Sequence, residues 1–465
     1  MIEHVFVNDR RPTPEYVELH CHSAFSFLDG ASAPEELAAG AAELGHQALA
    51  LTDHDGLCGS LAFAQAARDL GVRPITGAEL TLEDGSHLTL LAATARGYAN
   101  LCRLITVAHA GTRPPPDRSA RPPALPREAL AEHAEGLVCL TGCAERGLLP
   151  RLVAAGRRAE AEQAARALVR DLGAQNVYVE LQRPRTRGDR GLARALTQLA
   201  EVLGLPVVAT GNVHAHHSRR AFLQDAFVAI ATRATLDGSE AARRGNREAV
   251  LRSPAEMAGR FADHPEAVAE TVHLAERLEF DLTRDLGYRF PDFASGGPGE
   301  HADAVLARIC IHQLGARYPN AGKRAAARAR LDEELTLIAH HGLAGFFLLH
   351  RDLLELAREV ALQVRPAGSA RRWLPPGRGR GSSVGSIVCF LTGLSHVDPV
   401  RNDLFLGRFL SRDMVSVPDI DLDFPRDVRE RLIEEVIRRY GAERAALVAA
   451  FPTFRIRMAV RELGG

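Results

Sequence analysis

The sequence predicts an α/β chain in two parts: a distorted β/α barrel of about seven units, then a separate α+β domain. Three observations carry this. Up to about residue 290, short apolar runs alternate with longer Ala-, Leu-, Glu- and Arg-rich stretches, the strand–helix order of a parallel sheet. After Ser295 the pattern turns into long helical periods, then a Gly/Ser loop and a short acidic strand. A length of 465 residues is also more than one hydrophobic core usually serves.

In order, the predicted strands are 16–19, 48–51, 73–76, 88–91, 137–140, 177–181 and 206–209, each a short apolar run. Helical stretches fall at 35–44, 59–70, 157–172 and 189–203. The segment TRPPPDRSARPPALPR (112–127) cannot lie inside a helix and reads as an exposed loop. ASGGPGE (294–300) reads as a domain boundary. Beyond it, helices are expected at 302–316, 326–341, 350–362 and 426–440, with a basic loop, RPAGSARRWLPPGRGRG, at 365–381.

Composition narrows the function. With 46% hydrophobic residues the chain is not expected to be disordered, and no apolar run approaches the ~18 residues of a membrane span. The N-terminus lacks the apolar stretch of a secretory signal, and seven scattered Cys suit a reducing compartment, so a cytoplasmic location is expected. A net charge of −1 leaves no global nucleic-acid footprint. Lys323 is the only lysine among 57 basic residues, so arginine abundance reflects compositional bias more than phosphate recognition.

Polar residues of the first half fall where a barrel places chemistry, at strand ends. His20 and His22 close the first strand in ELHCHS, spaced so that both side chains share one face. Asp29 follows in FLDGAS, His54 in LTDHDG, Glu79 in GAEL, His87 at the fourth strand, Cys143 in CLTGC, and Asn212 and His214 in GNVHAHH. A single such histidine is more often a surface or capped side chain. Imidazole, carboxylate and thiolate converging from successive strand ends is what a transition-metal cluster requires. Adjacent metals can make a hydroxide nucleophile and polarise a phosphoryl oxygen.

HCHSAFSFLDG, TDHDG, GAE, CLTGC and GNVH resemble the motifs of the PHP (polymerase and histidinol phosphatase) family. The resemblance implies a distorted seven-stranded β/α barrel with up to three zinc or manganese ions, on His20, His22, Asp29, His54, Glu79, His87, Cys143 and His214. The family usually has Asp where Asn212 stands, and a neutral amide is a weaker ligand that cannot bridge cations.

In the second half, GRGRGSSVGS (377–386) leads into IVCFLTGL. Glycines let backbone approach a phosphate, and amides opening a helix offer donors with a favourable dipole. The GK[ST] ending of a Walker loop is absent, and taken alone such a loop is more often a linker. VPDIDLDFP follows, where strand periodicity puts Asp419, Asp421 and Asp423 on one face and Ile420, Leu422 and Phe424 on the other. Like charges on one face call for cations, and Mg2+ suits carboxylates shared with phosphates. An EF-hand lacks support here, since the Gly and distal Glu are missing, and a solvated acidic edge is the plain alternative. Loop and strand together describe a two-metal nucleotidyl transferase.

GRGSSVGS, DPVRNDLFLGRFL and PDIDLDF, in that order and after a PHP-like half, resemble the palm of the bacterial C-family polymerases, the DNA polymerase III alpha subunits. The basic insertion before GRGRG and the ending FPTFRIRMAVRELG look closer to the error-prone branch. The resemblance implies a PHP domain over 1–290, a nucleotidyltransferase-like palm over 291–450 and the start of a thumb over 451–465. It implies catalytic Asp419 and Asp421 holding Mg2+, with Gly379, Arg380, Gly381, Ser382, Gly385 and Ser386 around the triphosphate. Primer–template DNA, dNTP, and a sliding clamp and other replisome or repair subunits are the implied partners, with no membrane. A third catalytic aspartate is implied beyond position 465, so the 465-residue chain itself is not expected to synthesise DNA. Two further readings stay open. The barrel could act alone as a metal-dependent phosphoesterase or 3′→5′ exonuclease, or serve as a non-catalytic scaffold. The basic stretch 365–381 and the arginines near 452–461 are candidates for DNA backbone contact.

Overall fold

The computed structural model describes residues 15–112, 119, 121–287, 293, 300–414, 418–441, 444–448, 450, 451, 453 and 455–463. It divides into two compact units, Met1–Gly287 and Tyr288–Gly465. Part of the Pro/Arg tract (113–118 and 120) and most of the Gly-rich boundary (294–299) lie outside the described residues.

The first unit is built on a six-stranded sheet in the order β1 (Ala48–Leu51), β2 (Arg73–Thr81), β3 (His87–Ala92), β4 (Leu137–Leu140), β5 (Val177–Gln182) and β6 (Val207–Thr210). The segment expected as a strand at 16–19 forms only single bridges, Glu18 to Leu49 and Cys21 to Val213. Its hydrogen bonds alternate between the two edges of the sheet. Ala50 and Thr52 N–H donate to the Glu18 and Cys21 carbonyls at 2.9 and 2.7 Å, while His22 N–H donates to Val213 O at 2.7 Å and Val213 N–H to His20 O at 2.9 Å. The segment therefore links β1 to the loop after β6 without itself forming a strand.

The wholly parallel expectation fails at β3, which runs antiparallel to both β2 and β4. The reason is the length of the connection. Between Thr81 and His87 stands only LEDGS, a tight turn in which Leu82 N–H donates to Ser86 O at 2.7 Å and Gly85 takes φ +76°. A parallel return needs a crossover of a dozen residues or more, and Asp-Gly favours a hairpin.

The helices Pro34–Glu43, Ser60–Asp69, Ala95–Ala108, Arg158–Leu172 and Asp189–Leu203 bury Leu37, Phe63, Leu101, Leu168 and Leu199 against the sheet. Pro265–Arg277 packs Leu274 and Ala275 onto Leu19, Ala50, Ile75, Leu140 and Val208. With both faces covered, the strands read as continuous apolar runs rather than alternating ones. The polar residues at their ends thus stand out as exceptions.

The second unit is mainly helical: Ala302–Arg317, Ala321–His340, Ala344–Val364, Ile387–Thr392, Arg426–Tyr440 and Ile456–Leu463. Ala321–His340 starts earlier than expected because the Asn320 side chain caps it, accepting from Lys323 N–H at 3.1 Å. Its sheet, among the described residues, is one antiparallel pair of two-residue strands, β7 (Arg378–Gly379) and β8 (Leu422–Asp423). Leu331, Phe347, Ile387, Val388 and Leu394 form the core beneath that pair. No helix of the described residues is long and apolar enough to cross a membrane.

Candidate functional site

The predicted strand-end residues of the first unit meet around one carboxylate. Glu79 Oε1 lies 3.6 Å from His20 Nε2 and 3.5 Å from His87 Nδ1, and Oε2 lies 3.5 Å from His22 Nε2 and 3.1 Å from His54 Nδ1. The chain enforces this locally. Alternation puts His20 and His22 on the same face, and a single bridge joins His54 to Glu79 where β1 ends beside β2. Asp55 takes a left-handed φ of +47°, and its carboxylate accepts the Thr81 N–H and hydroxyl at 2.8 Å each, fixing that turn.

The donor set fits metal ions. His20 Nδ1 lies 2.6 Å from Glu180 Oε1, which makes that nitrogen the donor and leaves the Nε2 lone pair facing His22 Nε2 at 3.0 Å. Two nitrogen lone pairs at that separation need a cation or proton between them. Glu79 Oε1, His87 Nδ1 and Asn212 Oδ1 are fully buried without a hydrogen bond, which is costly unless something binds them. Three groupings bring ligand atoms within 4.8 Å of one another: His20, His22 and Glu79; His54, Glu79 and His87; and His22, His54 and His214.

Electrostatics follow from this crowding. Burial alone raises the Glu79 carboxyl, but the imidazoles of His54 and His20 hold it well below the usual range. Burial pushes His22 down, reinforced by His214, His54 and His20. Burial also opposes the charge on His20, yet Glu180 and Glu79 hold its pKa well above the ordinary value. The unit therefore carries a carboxylate that stays charged and a ring, His22, that stays a neutral donor.

Asp29, Cys143 and Asn212 sit at the margin of the cluster, outside those groupings among the described residues. Asp29 Oδ2 faces His214 Nε2 at 3.0 Å and His54 Nε2 at 3.3 Å. Cys143 is buried, its sulfur accepts Arg146 N–H at 3.3 Å, and burial pushes its thiol well up. Asn212 has φ +49°, and its carbonyl accepts from His214 Nδ1 at 2.8 Å.

Four further residues hold the site in place. Glu180 Oε1 binds His20, accepts Gln182 Nε2 at 2.7 Å and accepts the Thr210 hydroxyl. Asp53 accepts Ser23 N–H at 2.6 Å and the Ser26 hydroxyl at 2.7 Å, holding the loop after His22. Glu18 and Arg244 complete the set, the first through Gly211 N–H at 2.9 Å and the second beside His214. The signals were an acid inside an apolar strand for Glu180 in VYVELQ, and for Asp53 and Glu18 their places in TDHDG and ELHCHS.

In the second unit, Asp419, Asp421 and Asp423 are exposed while Ile420 is buried and Leu422 and Phe424 are half-buried, a period of two. The Arg378–Asp423 and Gly379–Leu422 register sets this segment alongside the Gly/Ser turn. Arg380 N–H donates to Asp421 O at 3.0 Å, and a side chain at Gly381 (φ +68°) would start 3.8 Å from Asp421 Oδ2. Arg380 pairs its guanidinium with Asp423.

The turn divides into an open and a closed part. Gly381 and Ser382 are exposed. Gly379 is buried, and a Cβ there would sit 2.7 Å from Leu394 O, so only glycine fits. Gly385 O accepts from Arg330 at 2.6 Å. The Ser386 hydroxyl is fully buried, donating to Glu334 at 2.7 Å and accepting Cys389 N–H at 3.1 Å. It shapes the turn without presenting a free hydroxyl.

Residues 18–184 match the PHP domain model, and residues 304–465 match the model of the bacterial DNA polymerase III alpha NTPase domain. The chain thus matches a PHP domain followed by a DNA polymerase III alpha domain. Nearly the whole chain also matches relatives named error-prone DNA polymerase. That of Symbiobacterium thermophilum is 39% identical over 463 residues, covering 97% of this chain and 41% of that protein. That of Mycolicibacterium paratuberculosis is 37% identical over 464 residues, covering 97% of this chain and 40% of that protein. The chain thus spans about two fifths of the length of the curated relatives it matches. A solved structure described as an amidohydrolase from Chromobacterium violaceum overlaps 43% of this chain and 88% of its own, at 17% identity and a TM-score of 0.30. His20, His22, His54, Glu79 and His87 fall within the stretch that matches the PHP model, with His214 beyond it, and the acidic segment and its turn fall within the stretch that matches the polymerase III alpha model.

Proposed function

We propose that this chain is the N-terminal portion of an error-prone DNA polymerase and that its second unit takes part in template-directed nucleotidyl transfer. One observation carries the reading: the Asp421 backbone is hydrogen-bonded to the Gly/Ser turn, so the exposed acidic edge and the open amides of Gly381 and Ser382 lie side by side. Asp419 and Asp421 would hold Mg2+, which when bound supplies charge to activate a primer hydroxyl and steady a triphosphate. Gly381 and Ser382 offer backbone N–H groups and a hydroxyl to phosphate oxygens. Asp423 holds Arg380 at that edge, where a triphosphate would compete for the guanidinium. Primer–template DNA and dNTP are the substrates on this reading. A sliding clamp and other replisome or repair subunits are its partners, and its location is the cytoplasm.

The test is Mn2+-dependent binding of a fluorescent dNTP to the 465-residue chain, followed by anisotropy. Binding in the wild type that is lost in Asp421→Asn and in Asp419→Asn is expected. Equal binding by wild type and both variants would remove the acidic edge from the site.

A second reading concerns the PHP domain. Glu79 surrounded by His20, His22, His54 and His87 favours Zn2+ or Mn2+ held there. Glu180 sets the His20 tautomer, as carboxylates behind metal-binding imidazoles do. Whether that centre hydrolyses a phosphoester or stabilises the barrel turns on the residues around His214.

A further inference from the structure

We infer that the Arg244 guanidinium takes the place of a metal ion beside His214 and Asp29, so that the barrel binds two divalent cations around Glu79 and no third. The inference rests on the metal-centre reading above and on the ring of His214. Its Nδ1 lies 2.8 Å from the Asn212 carbonyl, which can only accept, so Nδ1 is the donor and the lone pair is on Nε2. That lone pair is the ligand atom His214 would offer to the grouping it forms with His22 and His54. Arg244 already holds it, with one guanidinium nitrogen 2.8 Å away. The same nitrogen lies 3.3 Å from Asp29 Oδ1, and the other terminal nitrogen lies 3.6 Å from Glu145 Oε1.

Charge points the same way. Asp29 lies 3.0 Å from His214 and 3.3 Å from His54, so it would be the anionic partner of an ion at this end. Arg244 supplies that positive charge permanently, since a guanidinium does not lose its proton. Asn212 adds none of the negative charge that a further dication would need, and its buried Oδ1 has no partner. Neither His20, His22, His54 nor His87 has a cationic side chain on its ligating nitrogen among the contacts of the described residues.

The experiment counts metal. The 465-residue chain is saturated with Zn2+, freed of loose ions by gel filtration, and analysed for zinc per chain by elemental analysis and native mass spectrometry. Two ions are expected in the wild type, two in Arg244→Lys, and three in Arg244→Met. His214→Gln in the wild-type background is expected to keep two, because His214 is bound to Arg244 and not to metal, and this variant leaves the inference testable should Arg244→Met fail to fold. A wild-type count other than two, a folded Arg244→Met that stays at two, or a fall below two in His214→Gln would each overturn it. A wild-type chain that retains no zinc would remove the metal-centre reading itself, whereas three ions in the wild type would overturn this inference and leave that reading standing.

Discussion

Glu334 offers the sharpest energetic test of how the Gly/Ser turn is held. Its carboxylate is fully buried beneath the turn. Oε1 accepts Ile387 N–H at 2.8 Å, and Oε2 accepts the Ser386 hydroxyl at 2.7 Å and Val388 N–H at 3.1 Å. Arg330 Nε stands 3.4 Å from Oε1. The acid therefore closes the N-terminus of Ile387–Thr392, where free amides and the helix dipole favour negative charge. In Glu334→Ala, two amides and a hydroxyl lose their acceptor in a dry place. At about 1–3 kcal/mol for each buried unsatisfied group, less what an entering water recovers, the second unit should lose about 3–5 kcal/mol. Glu334→Gln fills the volume but turns an NH2 group toward donors, so about 2 kcal/mol is expected. Urea unfolding followed by circular dichroism measures both. A Glu334→Ala protein within about 1 kcal/mol of wild type, or a Gln variant as damaged as the Ala one, would refute the idea that this carboxylate organises the turn.

Four further outcomes follow from the same geometry. Gly379→Ala should destabilise the second unit by about 1–3 kcal/mol and abolish dNTP binding, because the new methyl meets Leu394 O at 2.7 Å; unchanged binding in the anisotropy assay would contradict this. Glu180→Gln should weaken Zn2+ binding about 10–100-fold by releasing His20, read by competition with a chromophoric chelator. His46 is held below its ordinary pKa by burial; its Nε2 lies 2.8 Å from Arg252 O and its Nδ1 has no partner, so stability should fall as the pH drops through about 6.5, where the unfolded ring takes up a proton that the folded ring refuses. His46→Asn should flatten that part of the urea midpoint against pH. Trp373, the one tryptophan of the chain, is 77% exposed among Arg371 and Arg372, so single-stranded DNA should quench its fluorescence by stacking, and an unquenched signal under saturating DNA would exclude the basic loop from the interface.

What could be read in the sequence followed periodicity and residue type. The HxH pair, the Asp-x-Asp alternation and six of the seven apolar runs name local patterns, and a local pattern dictates which face a side chain shares. The direction of β3 was lost because the alternation of strands and helices was given more weight than the Asp-Gly turn that decides it. Glu334 was lost for a different reason. In RLDEELTL it has the spacing of an exposed helical acid, and only the approach of a loop distant in sequence buries it. Arg244 lies in a stretch of arginines in a chain whose basic residues are nearly all arginine, so residue type could not single it out. Contacts between distant residues, not local propensity, assign these roles.

The two sites solve the problem of clustered acids in opposite ways, and that difference bears on how each works. In the barrel, Glu79 and Glu180 are buried, and Asp29 is set against His54, His214 and Arg244; a carboxylate removed from water persists as an anion only if such partners stand against it. The cluster is thereby held together by its own cations and rings, which fits a centre whose geometry exists before any ion arrives. On the acidic edge of the second unit, Asp423 alone has an arginine partner among the described residues, while the side chains of Asp419 and Asp421 stay in solvent. Hydration can carry their charge in the free protein, so nothing there needs a resident metal. Ion binding at that edge should consequently be weak alone and strong with a triphosphate that supplies further oxygens, so that dNTP raises Mn2+ affinity in the second unit and leaves zinc retention in the barrel unchanged. Tight Mn2+ binding at Asp419 and Asp421 without nucleotide, seen by electron paramagnetic resonance and lost in Asp421→Asn, would refute this division of labour.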